Sequence, residues 1–198
     1  MSAVRRRLGG LSMIAALGAM AVLALPASAA QASVIDLDAC NIASLSQPFL
    51  PWLDSSWYEL APGGDFESSG WTLEGGAQRV AGSEPFAATG TLGSWSLNLP
   101  AGSSAESPST CVDAAYPTIR FFTEGTGLLE VNVVYGHVTL PAGVDLVAGG
   151  WGPSPIMLTD SALVALASDG SAQVSIQLNA LAGDVRVDDV FVDPWNRS

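Results

Sequence analysis

No long stretch of the chain carries apolar residues at helical spacing; short apolar runs alternate with turn signals instead. Ser94 to Leu99 alternates Trp95, Leu97 and Leu99 against Ser94, Ser96 and Asn98, the period-two mark of a half-buried strand, and Pro100-Ala101-Gly102 ends it. Short strands are also predicted over Trp71–Leu73 and Gln78–Val80, each behind a Gly-containing turn. Thr118–Thr123 and Leu128–Val138 are the strongest runs. In the second, Leu129, Val131, Val133 and Tyr135 face one way while Glu130, Asn132 and Val134 face the other. Ala172–Leu178 points Val174, Ile176 and Leu178 inward, and Val185–Val192 closes the pattern. Ser161–Ala167 reads either as a short helix or as one more buried strand. About eight short strands separated by turns predict an all-β domain, two packed antiparallel sheets of jelly-roll type.

The first residues break this pattern. Arg5-Arg6-Arg7 precede an uncharged apolar run from Leu8 to Leu25, then Pro26 and the small residues Ala27-Ser28-Ala29. That order predicts a cleaved signal peptide over 1–29, with Ala30-Gln31-Ala32 offering cleavage after 32 instead. A membrane anchor fits less well, because Gly9, Gly10 and Gly18 interrupt the run and the cleavage site follows at once. The arginine pair lacks the remainder of a twin-arginine pattern. The expectation is an extracellular, secreted or cell-envelope protein with a single domain over 33–198 and no membrane insertion after cleavage.

Export gives meaning to the two cysteines, since an exported pair oxidises. A Cys40–Cys111 bridge would close a loop of about 70 residues, stabilising by roughly 4 kcal/mol in the chain-entropy account. Charge narrows the partners. Seven arginines, no lysine and 19 acids give a net charge of −12, and without the leader four arginines face the acids. Such a body repels phosphate backbones and anionic lipid, so nucleic acid is excluded as a partner. With 48% apolar residues and 13% charged ones, the chain is still globular rather than a disordered acidic tail. The expected assembly state is a monomer.

Two segments carry candidate chemistry. Val187, Val190 and Val192 all face the core only if an extra residue is inserted at Asp188-Asp189, which predicts a β-bulge that turns a carboxylate sideways. Gly63-Gly64 lets the backbone bend sharply before Asp65 and Glu67. If first and last strands are neighbours, Asp65, Glu67, Asp188 and Asp189 could form part of the hard-oxygen shell that calcium takes. The plainer alternative makes them solvated turn acids.

The patterns PGGDFES..GW.L.GGA, SLNLPAGSSAESP..CV, YPTIRFF and VDDVFVDPW resemble exported actinobacterial proteins of unassigned function, over about residues 40–197. More distantly, G-G-D-F-E…G-W with a terminal V-D-D-V is similar to galactose-binding-like jelly rolls, including carbohydrate-binding modules attached to xylanases. That likeness rests on the two end motifs alone. It implies a structural calcium ion held by Glu67 and Asp188, with Asp189 behind them, and a carbohydrate partner outside the cell.

Sugar-binding jelly rolls use exposed aromatic faces flanked by polar side chains. Trp52, Trp57 and Trp151 sit in Pro- and Gly-rich segments expected to be loops, which makes them the binding candidates; each could instead close the end of the sandwich. Trp71 and Trp95 fall in core-like patterns, and Trp195 is expected to pin the C-terminus. Arg120 could grip a ligand or pair with Glu124 or Glu130. His137 has no second histidine for zinc, and no G-x-S-x-G nucleophile turn occurs. A glycosidase carboxylate pair could be hidden among 19 acids, but nothing marks one. The reading is therefore a non-catalytic binding module, not an enzyme; the alternatives are an interaction protein of the cell envelope and a small polysaccharide-active enzyme.

Overall fold

A computed structural model describes residues 44–113, 118–158 and 171–193, with backbone only at 111–113 and 171. The expected signal segment, Cys40, the Ser161–Ala167 segment and Trp195 lie outside the described residues, as does the side chain of Cys111.

The fold is all-β and antiparallel. Its strands are β1 (Glu59–Leu60), β2 (Thr72–Glu74), β3 (Gln78–Ala81), β4 (Trp95–Pro100), β5 (Ser104–Glu106), β6 (Thr110–Asp113), β7 (Thr118–Tyr135), β8 (Val138–Pro153), β9 (Met157–Leu158) and β10 (Ser171–Asp193). β10 is the spine. One edge of it pairs with β7 from Ser175↔Val134 to Asp193↔Thr118. Its other edge takes β6, β5, β4 and β1 in turn. β8 and β9 add to the far side of β7, while β2 and β3 flank β5 and β4.

The sandwich is thus a continuous curled sheet rather than two separate ones. Runs expected to be separate strands are one element: Ala172–Leu178 and Val185–Val192 both belong to β10, and Thr118–Thr123 and Leu128–Tyr135 both belong to β7. Glycines that read as strand ends are bends within strands. At Gly183 (φ 78°) a Cβ would run into the Thr126 carbonyl oxygen across the ladder, so only glycine lets β10 and β7 approach there. β8 was not expected, because the Gly149-Gly150-Trp151-Gly152-Pro153 segment read as a loop; Pro141 and Gly143 also lie within the strand. Register shifts at Val131/Asn132 and Thr123/Gly125 absorb these irregular residues without ending the β7–β8 ladder.

The alternating faces of β7 and β10 behave as the pattern dictates. Leu129, Val131, Val133 and Tyr135 join Val174, Ile176, Leu178, Val185, Val187, Val190 and Val192 in the main core, which Leu97, Leu99, Phe66 and Ile119 complete. A smaller aromatic core lies on the opposite face, where Phe122 and Phe191 meet Phe49 and Tyr58 of the entry segment. The Phe49 ring stacks on Phe122 at 5.1 Å and meets Phe191 edge-on at 5.6 Å.

Candidate functional site

Three regions hold the residues singled out by the sequence. The first is the bulge. β10 shifts register between Asp188 and Phe191, and Asp189 sits in the left-handed region at φ 49°. The turn of Gly63-Gly64 closes over it: Ala61 N donates to Val190 O (2.9 Å) and Val190 N donates to Gly64 O (3.0 Å). A Cβ at Gly64 would lie 2.6 Å from Val190 O, so this approach requires glycine. The first strand, β1, pairs with the end of β10, which brings acids distant in sequence together.

The acids gather around the bulge in an arrangement that sequence alone did not give. Glu84, absent from the candidate set, is buried at 1% exposure; Asp188 is at 0% and Asp189 at 3%. Asp188 Oδ2 accepts from Glu84 N (2.9 Å) and Oδ1 from Asp189 N (2.9 Å). Glu84 Oε1 accepts from Ala88 N (2.8 Å), and its Oε2 accepts from Phe86 N, so this carboxylate pins the 84–88 loop. Burial pushes the Asp188 carboxyl up to about 6, against hydrogen bonds from Glu84 N and Ser83 that lower it. Asp189 is raised further by burial and by the charges of Asp188, Glu84 and Asp65, and it shares a carboxyl–carboxyl hydrogen bond with Glu84.

Glu67 stands at the edge of this group. Its Oε1 accepts from Ser94 N (2.5 Å) and Trp95 N (2.9 Å), tying the D-F-E turn to the start of β4. Asp65 Oδ1 accepts from Glu67 N at 3.2 Å. Among the described residues, no three acid, His or Cys side chains already converge as a metal shell. Asp188 and Glu84 spend their carboxylate oxygens on backbone N–H donors, with the buried Asp189 carboxyl beside them.

The second region is the face of the sheet opposite the main core. Glu130 and Asn132 of β7 lie across from Asn179 and Gln177 of β10. Asn132 Nδ2 donates to Glu130 Oε2 (3.2 Å) and Gln177 Oε1 (3.4 Å); Asn179 Nδ2 donates to the same two oxygens at 3.3 Å each. Further along that face, Arg186 donates through Nη1 to Glu124 (2.6 Å) and through Nη2 to Ser96 Oγ (2.5 Å) and Gly82 O (2.8 Å). Its guanidinium lies 5.4 Å from the Trp151 ring. Trp151 belongs to β8 rather than to a loop, half-buried against the aromatic core. Outward positions were legible for Glu130 and Asn132 in the sequence alternation. Their partners on β10 were not, because register is a tertiary fact.

The third region is the entry segment. Trp52 packs edge-on against Phe86 (4.9 Å) and Phe122 (5.3 Å), beside an open apolar cleft of about 490 Å³ that Leu50 and Ala87 also line. Trp57 is 40% exposed. Arg120 is not at the surface. It is 7% exposed, donates Nη1 to Asp54 Oδ2 (2.7 Å) and Nη2 to Ser154 O (3.0 Å), and lies 4.3 Å from the Phe49 ring. Its partner is Asp54, neither Glu124 nor Glu130; Glu124 is taken by Arg186. Trp95, expected in the core, is 39% exposed, because β4 begins there at the rim of the sandwich.

No protein-family model matches the chain, and no curated protein does. The resemblance to exported actinobacterial proteins thus finds no family-level counterpart. Solved structures similar to this fold include a family 61 carbohydrate-binding module, TmCBM61, in complex with β-1,4-galactotriose (18% identity over 67% of this chain and 96% of that one, TM-score 0.44). Another is the C-terminal family 6 module of the laminarinase LamC from Zobellia galactanivorans (14% identity, 62% and 90%, TM-score 0.45). A third is the family 22 xylan-binding domain of Xyn10C from Paenibacillus barcinonensis (14% identity, 68% and 93%, TM-score 0.42).

Proposed function

We propose that this protein is an exported, non-catalytic module that binds a carbohydrate chain along the outer face of β7 and β10. One observation carries the reading: Glu130, Asn132, Gln177 and Asn179 form a mixed amide and carboxylate array on that face, joined only by side-chain bonds of 3.2–3.4 Å. Those bonds are longer than the preferred 2.9–3.0 Å, so exchanging them for ligand hydroxyls sacrifices little. Amides both donate and accept, which suits hydroxyls that do the same. Along β7 from Asn132 to Glu124, opposite Gln177 and Arg186, the face runs roughly 27 Å at about 3.4 Å per residue, long enough for several sugar rings. Trp151 stands at one end, half-buried beneath the Arg186 guanidinium, and a pyranose would meet the edge of that pair.

The test is retention of the intact protein on a panel of insoluble polysaccharides. Gln177→Ala with Asn179→Ala should abolish retention, and Trp151→Ala should weaken it. Failure of wild-type protein to bind any glycan, with the fold intact, overturns the reading.

Calcium belongs to the same proposal as a structural ion at the bulge. Asp189 and Asp65 are the carboxylates that would hold it, with Asp188 and Glu84 behind them and Glu67 outside, since Ser94 N and Trp95 N occupy its Oε1. A second reading, an interaction protein of the cell envelope, is favoured by Val144 and Leu146 of β8, 56% and 78% exposed. Cross-linking that captures an envelope protein, lost on Leu146→Asp, would favour it over glycan binding.

A further inference from the structure

We propose that a small cleft beside Arg79 is a subsite for a neutral acyl substituent, an N-acetyl or O-acetyl group, on the glycan. It rests on the carbohydrate reading for the identity of the ligand and lies apart from the outer face that carries that reading. Three arginines occur among the described residues. Arg120 pairs with Asp54 and Arg186 with Glu124. Arg79 pairs with no acid: its one hydrogen bond among the described residues runs from Nε to Phe66 O (2.7 Å), which leaves both Nη groups as unused donors. Its guanidinium is held 5.0 Å from the Trp95 ring, so its position is fixed rather than free to sweep through solvent.

Beside it lies a cleft of about 60 Å³, with Phe66, Trp71 and Leu73 as apolar lining and Ser68 and Ser69 as polar lining. The Trp71 indole is fixed by Nε1 donating to Pro62 O (3.1 Å) and by the Phe66 ring at 5.1 Å. Pockets that take a whole small molecule run to roughly 300 Å³ or more. This one admits a substituent of a few atoms. A lining that joins these apolar side chains to the Arg79 guanidinium and two serine hydroxyls suits a group with a methyl at one end and an acceptor oxygen at the other. A carboxylate would also accept, but Asp65 and Glu67 flank Phe66 and the whole chain carries −12, which disfavours an anion. A carbonyl oxygen brings the acceptor without the charge.

The experiment follows the indole N–H signals of Trp71 and Trp95 by NMR in the full-length exported protein. N-methylacetamide, acetate ion, N-acetylglucosamine, glucosamine and glucose are titrated separately. Shifts with N-methylacetamide and N-acetylglucosamine, at least fivefold larger than with glucosamine or glucose at equal concentration, support the subsite. Arg79→Gln should weaken the response about tenfold, the scale of a lost bond to a charged donor. Ser69→Phe, at an exposed position, should block the cleft without disturbing the fold and so decides the matter if Arg79→Gln is unstable. A stronger response to acetate, an equal response to glucose, or an unchanged response in Ser69→Phe overturns the proposal. Gln177→Ala with Asn179→Ala separates the two ideas: it should abolish polysaccharide retention while leaving the N-acetylglucosamine shifts in place.

Discussion

Replacing Arg120 by Met tests how the entry segment is held to the sheet. Arg120 and Asp54 form a pair whose side chains are 8% and 9% exposed, at 2.7 Å. The guanidinium also reaches Ser154 O through Nε (3.3 Å) and Nη2 (3.0 Å). Removing one partner of a buried pair leaves the other desolvated and uncompensated, at a cost of about 3–5 kcal/mol. Asp54 keeps two donors, Tyr58 Oη (2.8 Å) and Ser56 N (3.0 Å), so the lower end, about 3 kcal/mol, is expected. For a domain of this size that corresponds to a fall in Tm of roughly 6–12 °C. Methionine keeps much of the volume against Phe49, so the loss reports the charge rather than a cavity. Urea titration of wild type, Arg120→Met, Asp54→Asn and the double variant gives a coupling energy, and the double variant should recover part of the loss.

The pH dependence has a definite sign. Burial raises the Asp54 carboxyl, but hydrogen bonds from Tyr58, Ser56 N and Arg120 outweigh it and hold the group below 3.8. Its contribution is therefore complete above the unfolded-state value near 4 and is lost as pH falls through the lower folded value. Arg120→Met should flatten that acid limb. A loss under about 1 kcal/mol, or an unchanged acid limb, would refute this account of the segment that carries Trp52 and Trp57.

Further outcomes follow from the bends, the acids and the cysteines. Gly183→Val should destabilise by roughly 2–4 kcal/mol in chemical denaturation, since it adds left-handed strain and a clash with the Thr126 carbonyl; a neutral variant would mean that β7 and β10 are not so closely apposed. Calcium at a hundred times its dissociation constant should add about 2.7 kcal/mol, so chelation should lower Tm by roughly 5–10 °C, and an unchanged melt discards the ion. If Cys40 and Cys111 are bridged, thiol titration of the denatured protein should find no free thiol, and reduction should lower its stability by roughly 4 kcal/mol.

Much of the local pattern was legible. Alternation along Leu128–Val138 and Ala172–Leu178 assigned the inward faces, and all of Leu129, Val131, Val133, Val174, Ile176 and Leu178 are buried. The conflict among Val187, Val190 and Val192 demanded the bulge that β10 contains. β8 escaped because its prolines and glycines are tolerated at bulges and on a sheet edge, where a missing donor faces no partner. Trp95 misled because alternation tells which side of a strand a residue faces, not whether anything covers that side. Glu84 gave no signal, because its role depends on meeting a strand more than a hundred residues further on, with its backbone N donating to Asp188.

The amino-acid order alone determined the all-β class, the inward sets, the sharp turn at Gly63-Gly64 and the offset at Asp188-Asp189, since each follows from side-chain period or backbone sterics within a few residues. Tertiary structure decided what lies across from what: Asn132 beside Gln177, Arg120 on Asp54 rather than on its strand neighbours, Arg79 without an acid, and Glu84 among the bulge carboxylates. Register, curl and long-range closure are set by the sum of many weak contacts across β7 and β10, and no local stretch of sequence contains that sum.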